Sequence, residues 1–139
     1  MDEIGTGAGR GYTLNAPLAV GSTIADYRLV FDEIFIPALV RFRPDVLIIS
    51  AGQDALVDDE RGQMNLNPED YGVLTRMLIE GTGMPLALTL EGGYGPSHGK
   101  AIEAIFAALR GGKFTVANEQ TPHRSTERVV EILKKVEFC

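Results

Sequence analysis

Cysteine is almost absent from this chain: of 139 residues, only the last, Cys139, is one. A single thiol excludes an internal disulfide and suits a reducing cytoplasm, where the protein is expected to reside. Histidine is nearly as scarce, with only His98 and His123, so any metal centre has few imidazoles to draw on. Basic residues are outnumbered, 13 against 19 acidic, for a net charge of -6. That balance argues against a phosphate-neutralising nucleic-acid surface, and Lys134-Lys135 alone does not supply one. No apolar run approaches the ~18 residues that a membrane span needs. Met1-Asp2-Glu3 is acidic where a secretory signal would begin with a basic stretch.

The core-forming material that remains is ordinary in amount, 45% hydrophobic, enough for one domain or part of a larger one. Its arrangement is informative. Pro44-Asp45-Val46-Leu47-Ile48-Ile49 is a short branched apolar run that reads as a strand buried on both faces, the pattern of a parallel sheet. It breaks at Ser50-Ala51-Gly52, and Asp54 follows. A second run, Leu86-Ala87-Leu88-Thr89-Leu90, ends in Glu91-Gly92-Gly93-Tyr94-Gly95. Open α/β sheets hold ligands just past the carboxyl ends of their strands, so Asp54 and Tyr94 are expected to face one crevice.

Helical patterns separate the strands. Ile24, Tyr27, Phe31, Ile34, Phe35, Ala38, Leu39 and Phe42 recur at three and four. Thr23 and Asp26 mark the start, and Pro37 predicts a kink. Asn67-Pro68-Glu69-Asp70 opens a second helix that Gly81-Thr82-Gly83 closes. A third is expected over Ala101–Leu109 with Ile102, Ile105, Phe106 and Leu109 on one face. A fourth follows a linker over 113–124 and is capped by Ser125, with Val129, Ile132, Leu133 and Val136 as its apolar positions. The alternation gives an α/β fold with parallel pairing. Gly5-Thr6-Gly7-Ala8-Gly9-Arg10-Gly11 is no phosphate loop, because it lacks the Lys-Ser/Thr that must follow and the strand that must precede; a flexible surface loop is expected.

Each candidate residue has two readings. Asp54 is a turn or cap residue, or a metal ligand; Asp58 and Asp59 lie close enough in sequence to share such a site, yet no histidine does. Tyr94 is half-buried in a β-turn, or is a phenol at a pocket mouth that donates to a developing oxyanion. Flanking glycines let backbone approach a ligand there. His98 and His123 are expected in solvent.

Taken together, Asn15-Ala16-Pro17-Leu18, Phe42-Arg43-Pro44-Asp45, Ser50-Ala51-Gly52-Gln53-Asp54-Ala55, Met64-Asn65-Leu66-Asn67-Pro68 and Leu90-Glu91-Gly92-Gly93-Tyr94-Gly95 resemble, in order and spacing, the C-terminal part of histone deacetylase and acetylpolyamine amidohydrolase family proteins. The resemblance covers roughly residues 3 to 111. It implies the C-terminal portion of a three-layer, parallel-sheet arginase/deacetylase fold, with residues 1–113 in the catalytic domain and 114–139 a linker plus an amphipathic helix. It further implies zinc-dependent hydrolysis of an acyl-amide on an acyl-lysine or acylated-amine substrate. Asp54 would be one of three zinc ligands, Tyr94 would hydrogen-bond the substrate carbonyl, and Gly92 and Gly93 would wall the acyl channel. Where the family has Asp-Pro-Leu-Gly this chain reads Asp59-Glu60-Arg61-Gly62, so Arg61 either brings a cation to the channel rim or points into solvent. At the rim it would favour acidic substrates over cationic polyamines. The family's Asp-x-His pair and tandem histidines have no counterpart here, so the isolated chain is expected to be an incomplete, inactive portion of a zinc deacylase. A non-catalytic interaction module and a decayed deacetylase fragment are the alternatives. Too few strands for a wide sheet would leave an edge open to self-association or to pairing with another chain.

Overall fold

The structure is a computed structural model that describes residues 3–115, 120–136 and 138. Residues 116–119 of the expected linker, and Cys139, lie outside the described residues.

Two strands, β1 (Leu47–Ala51) and β2 (Leu86–Leu90), pair in parallel with Leu47 opposite Leu86 and Ala51 opposite Leu90. Both follow a proline, and the Leu47 N–H donates to the Pro85 carbonyl at 2.9 Å to start the ladder. Helix α3 (Pro68–Thr82) connects them. Its start is built as the sequence suggests: Pro68 fills the first helical position, and Asp70 reaches back to accept the Asn67 N–H at 2.7 Å. Gly83, in the left-handed region at φ 64°, returns its N–H to Ile79 and ends the helix.

The first helical pattern forms α1 (Ile24–Val30), a π-helical turn (Phe31–Phe35) and α2 (Ile36–Phe42), continuous in the chain. Just before Pro37, where a kink is expected, the helix widens into this π turn. Proline supplies no N–H and its ring crowds the carbonyl four residues back; a π turn relieves that crowding by passing the Ile36 N–H to Phe31. Gly7–Gly9, expected as flexible loop, forms one 3-10 turn.

Helix α4 (His98–Leu109) begins three residues earlier than the expected Ala101. The face it turns inward is also different: Ala101, Ala104, Ile105 and Ala108 are buried, whereas Phe106 and Leu109 are exposed. The small alanine side chains suit close packing of α4 on the core. The main core gathers Ile24, Leu56, Leu66, Tyr71, Leu74 and Ile105, with Leu88 and Phe114 packed against it. A second core joins Val30 and Ile34 to Val129, Val130 and Leu133 of α5 (Arg124–Leu133).

Helix α5 starts at Arg124, so Ser125 lies inside its first turn and is not its cap. The cap comes from 97 residues away. Asp26, fully buried at 0% exposure, accepts the His123 N–H at 2.7 Å and the Thr126 hydroxyl at 2.7 Å, contacts the His123 ring Nδ1 at 2.9 Å, and accepts the Thr23 N–H of its own helix at 2.9 Å. One carboxylate thus serves the N-termini of α1 and α5. His123, expected in solvent, is a partner of this carboxylate and only half exposed.

A further expectation is overturned. β1 is not buried on both faces: Leu47, Ile49 and Ala51 turn toward the helices, while Val46 and Ile48 are exposed, Ile48 at 70%. A continuous apolar run states only that both faces suit burial; among the described residues one layer of helices covers one face. Nor is any helix of the described residues long and apolar enough to cross a membrane.

Candidate functional site

Parallel register decides which residues meet. Ala51 lies opposite Leu90, and the pairing continues one step past both strand ends, where the Gln53 N–H donates to the Gly92 carbonyl at 2.7 Å. Asp54 and the Gly92–Tyr94 segment are therefore side by side. A Cβ built on Gly92 would lie 3.4 Å from Asp54 Oδ2 and 3.8 Å from the Tyr94 ring. The carboxylate and the phenol flank the same glycine, on the same face of the molecule, and both are exposed. Below them a cavity of about 460 Å³ runs between the sheet and α3, lined by Asp54, Glu91, Gly92, Ile49, Leu88 and Tyr71.

Behind the pair lie two phenols that stay neutral. Burial pushes Tyr71 up, and Tyr27 likewise, with the Asp54 charge adding to both. The Tyr71 hydroxyl donates to the Gly52 carbonyl at 3.2 Å, fixing the turn that carries Asp54.

Gly93 has φ 133°, a region L-residues rarely adopt, and a Cβ there would stand 2.8 Å from both Gln53 Cβ and His98 Nδ1. His98 Nδ1 is buried although the residue is partly exposed, so this histidine, expected in solvent, is only partly solvated. Gly62 is tighter still: a Cβ would fall 1.6 Å from the Asp54 carbonyl oxygen. Gly62→Ala is therefore expected to force the Asp54 turn outward and to cost about 1–3 kcal/mol, the range for overpacking a filled site. Urea denaturation would measure the loss, and an unchanged midpoint would refute this account of Gly62.

Asp58 and Asp59 do not face Asp54 as a shared metal site. Asp58 accepts the Ser97 N–H at 3.1 Å and the Ser97 hydroxyl at 2.8 Å, which explains the early start of α4. Asp59 is buried and accepts four backbone N–H groups, from Arg61, Gly62, Tyr94 and Gly95. These bonds, the Tyr94 N–H first among them, hold its carboxyl below the usual carboxylate range against the opposing effect of burial. Two adjacent acids in a polar loop are plain in the sequence; the Tyr94, Gly95 and Ser97 N–H groups that donate to them lie 35 to 39 residues on, and no local signal names them. Arg61, left between rim and solvent, lies over Tyr94 with its guanidinium carbon 4.3 Å from the ring centroid.

Parallel strands feeding helices, with an aspartate and a tyrosine at adjoining strand ends, define an α/β domain of the arginase/deacetylase type. The chain belongs to the histone deacetylase family: the histone deacetylase domain matches residues 1–109. Histone deacetylase 18 of Arabidopsis thaliana is 35% identical over 138 residues, which cover 97% of this chain and 20% of that protein. Polyamine deacetylase HDAC10 of Homo sapiens is 38% identical over 94 residues, 67% of this chain and 14% of that one. The crystal structure of the HDA15 HD domain superposes with a TM-score of 0.87 at 31% identity, over 98% of this chain and 37% of that one. The histone deacetylase Clr3 does so at 0.88 and 29%, over 98% and 23%. The chain thus spans about a fifth of the length of its Arabidopsis relative.

Proposed function

We propose that this chain contributes Asp54 and Tyr94 to the site of a zinc-dependent hydrolase of acyl-amides, with acyl-lysine or an acylated amine as substrate. The observation that carries the reading is the placement of both side chains against Gly92 at the ends of two parallel strands. Family membership and the names of the relatives, histone and polyamine deacetylases, support the substrate class.

Zinc is the metal the resemblance implies, and the donor set of this chain does not hold it unaided. Among the described residues no group of three or more His, Cys, Asp or Glu side chains is placed to bind a metal ion, whereas catalytic zinc takes three protein ligands. Asp54 is proposed as a single donor to a metal whose other ligands are supplied from outside the described residues, and the chain by itself is proposed to be inactive. What its own residues do is narrower. The Tyr94 hydroxyl can donate to a carbonyl oxygen that gains charge as the amide is attacked. Gly92 and Gly93 present backbone without side chains beside Tyr94, as the wall of a narrow acyl channel would require.

The test is hydrolysis of acetyl-lysine peptides and acetylated polyamines by a chimaera in which this chain replaces the matching part of a related deacetylase domain, with and without Asp54→Ala. Turnover lost in the variant is the expected result; turnover that survives it removes Asp54 from the site. Arg61 refines the substrate. A guanidinium at the mouth favours an acyl group ending in a carboxylate, and because the cation is exposed the preference in kcat/KM is expected to be on the order of a few-fold. Arg61→Leu should abolish that preference, and an acidic preference undiminished by Arg61→Leu would remove Arg61 from substrate selection.

A further inference from the structure

The loops that follow β1 and β2 are joined through one side chain. Asp59 Oδ1 accepts the N–H groups of Arg61 at 2.8 Å and Gly62 at 3.0 Å; Oδ2 accepts those of Tyr94 at 2.5 Å and Gly95 at 3.1 Å. Each oxygen serves a different loop. The backbones of Arg61 and Tyr94 are thereby fixed relative to each other across one buried carboxylate, and their side chains meet above it, guanidinium over phenol ring at 4.3 Å.

The arrangement answers a problem that the site otherwise has. Tyr94 is 62% exposed and stands between two glycines, so neither core packing nor neighbouring side chains confine its ring. A donor that is to meet a developing oxyanion works best when it is already oriented, because reorganising it at the moment of reaction adds to the barrier. An exposed cation–π contact is too weak to impose that order on two free loops. It suffices once the backbones are set, and four charge-assisted hydrogen bonds to one carboxylate set them. Asp58 reinforces the same clamp two residues further on by holding Ser97.

We propose that Asp59 is a positioning residue that templates the Arg61–Tyr94 stack and so holds the Tyr94 phenol in one orientation before substrate arrives. Its functional meaning rests on the reading of Tyr94 as the substrate-facing donor; the stack itself does not.

NMR of the isotope-labelled 139-residue chain, without metal or substrate, tests it. In the unaltered chain the Arg61 Nε–H and Cδ protons are expected upfield of their usual positions, with NOEs to the Tyr94 ring. Couplings through the hydrogen bonds should link the Tyr94 and Arg61 amides to the Asp59 carboxylate carbon. Arg61→Gln should remove the upfield shifts but keep those to Tyr94 and slow exchange of the Tyr94 and Gly95 amides. Asp59→Asn should lose the NOEs and speed that exchange at least tenfold. An unshifted Arg61, missing couplings in the unaltered chain, or a stack that survives Asp59→Asn overturns the proposal. The measurements on the unaltered chain decide the matter even where Asp59→Asn does not fold. Failure of the deacylase reading would appear in the Asp54→Ala turnover assay and would leave these spectra as they are.

Discussion

Asp26→Ala is expected to remove about 3 kcal/mol of folding stability and to detach α5 while the main core persists. The figure follows from what the substitution strands. The Thr23 and His123 N–H groups and the buried Thr126 hydroxyl lose their acceptor together, and a donor left unsatisfied in the interior costs ~1–3 kcal/mol. Those nearer the surface regain water, which keeps the total below the sum. Against the ~5–15 kcal/mol typical of a domain, this is a large share. Asp26→Asn, which keeps one acceptor oxygen, should lose less. Urea denaturation gives the magnitude, and hydrogen exchange in 124–133 reports whether the loss is local to α5. The pH dependence has a definite sign. Burial raises the Asp26 carboxyl, but hydrogen bonds from Thr126, Thr23 and His123 outweigh it and hold the folded group below the ordinary aspartate range. A depressed folded value means stability that is present in full above the unfolded value and is lost as pH falls through the folded one. Docking of α5 should therefore hold at neutral pH and weaken only below about pH 4. An alanine variant as stable as the parent, with α5 equally protected, would contradict the double-cap account.

Why Asp26 escaped the sequence reading is the same reason that other parts were readable. The start and stop of α3, the two strands and their order depend on neighbours within a few residues: Asn67-Pro68-Glu69-Asp70, Gly83, and the apolar runs behind Pro44 and Pro85. Local chemistry writes those features. Asp26 reads locally as a first-turn acid, which it is, but its second role needs α5 folded back across 97 residues. Asp58 and Asp59 are alike in this respect, since Ser97, which Asp58 holds, and Tyr94 and Gly95, which Asp59 holds besides its local partners, lie beyond the whole of α3 and β2. The face of α4 was misjudged for a different cause. Size alone points to Phe106 and Leu109 as core, yet close packing on α3 selects the alanines instead. The double-sided burial of β1 was inferred from apolar content, which reports what a face tolerates and not what covers it. The placement of Asp54 next to Tyr94 was legible because parallel strands in register bring their ends together whatever else the chain does.

Tyr94→Phe bears most directly on the chemistry. On the proposed reading, in a chimaera that carries this chain within a related deacetylase domain, it is expected to lower kcat by ~10²–10³-fold, the usual cost of deleting one oxyanion donor, with KM little changed. The substitution removes one oxygen and leaves the ring. Phenylalanine still presents a π face to Arg61, and the Tyr94 N–H to Asp59 is a backbone bond that no side-chain change deletes. Since the side chain is largely exposed, folding stability should stay within about 0.5 kcal/mol of the parent, as for surface substitutions generally. That separation gives the experiment its force, because a fall in rate without a fall in stability locates the loss in the hydroxyl. Uniform binding would instead raise KM and spare kcat. A phenylalanine variant that keeps the parent kcat would show that the Tyr94 hydroxyl meets no developing charge, and the proposed division of labour between Asp54 and Tyr94 would fall with it.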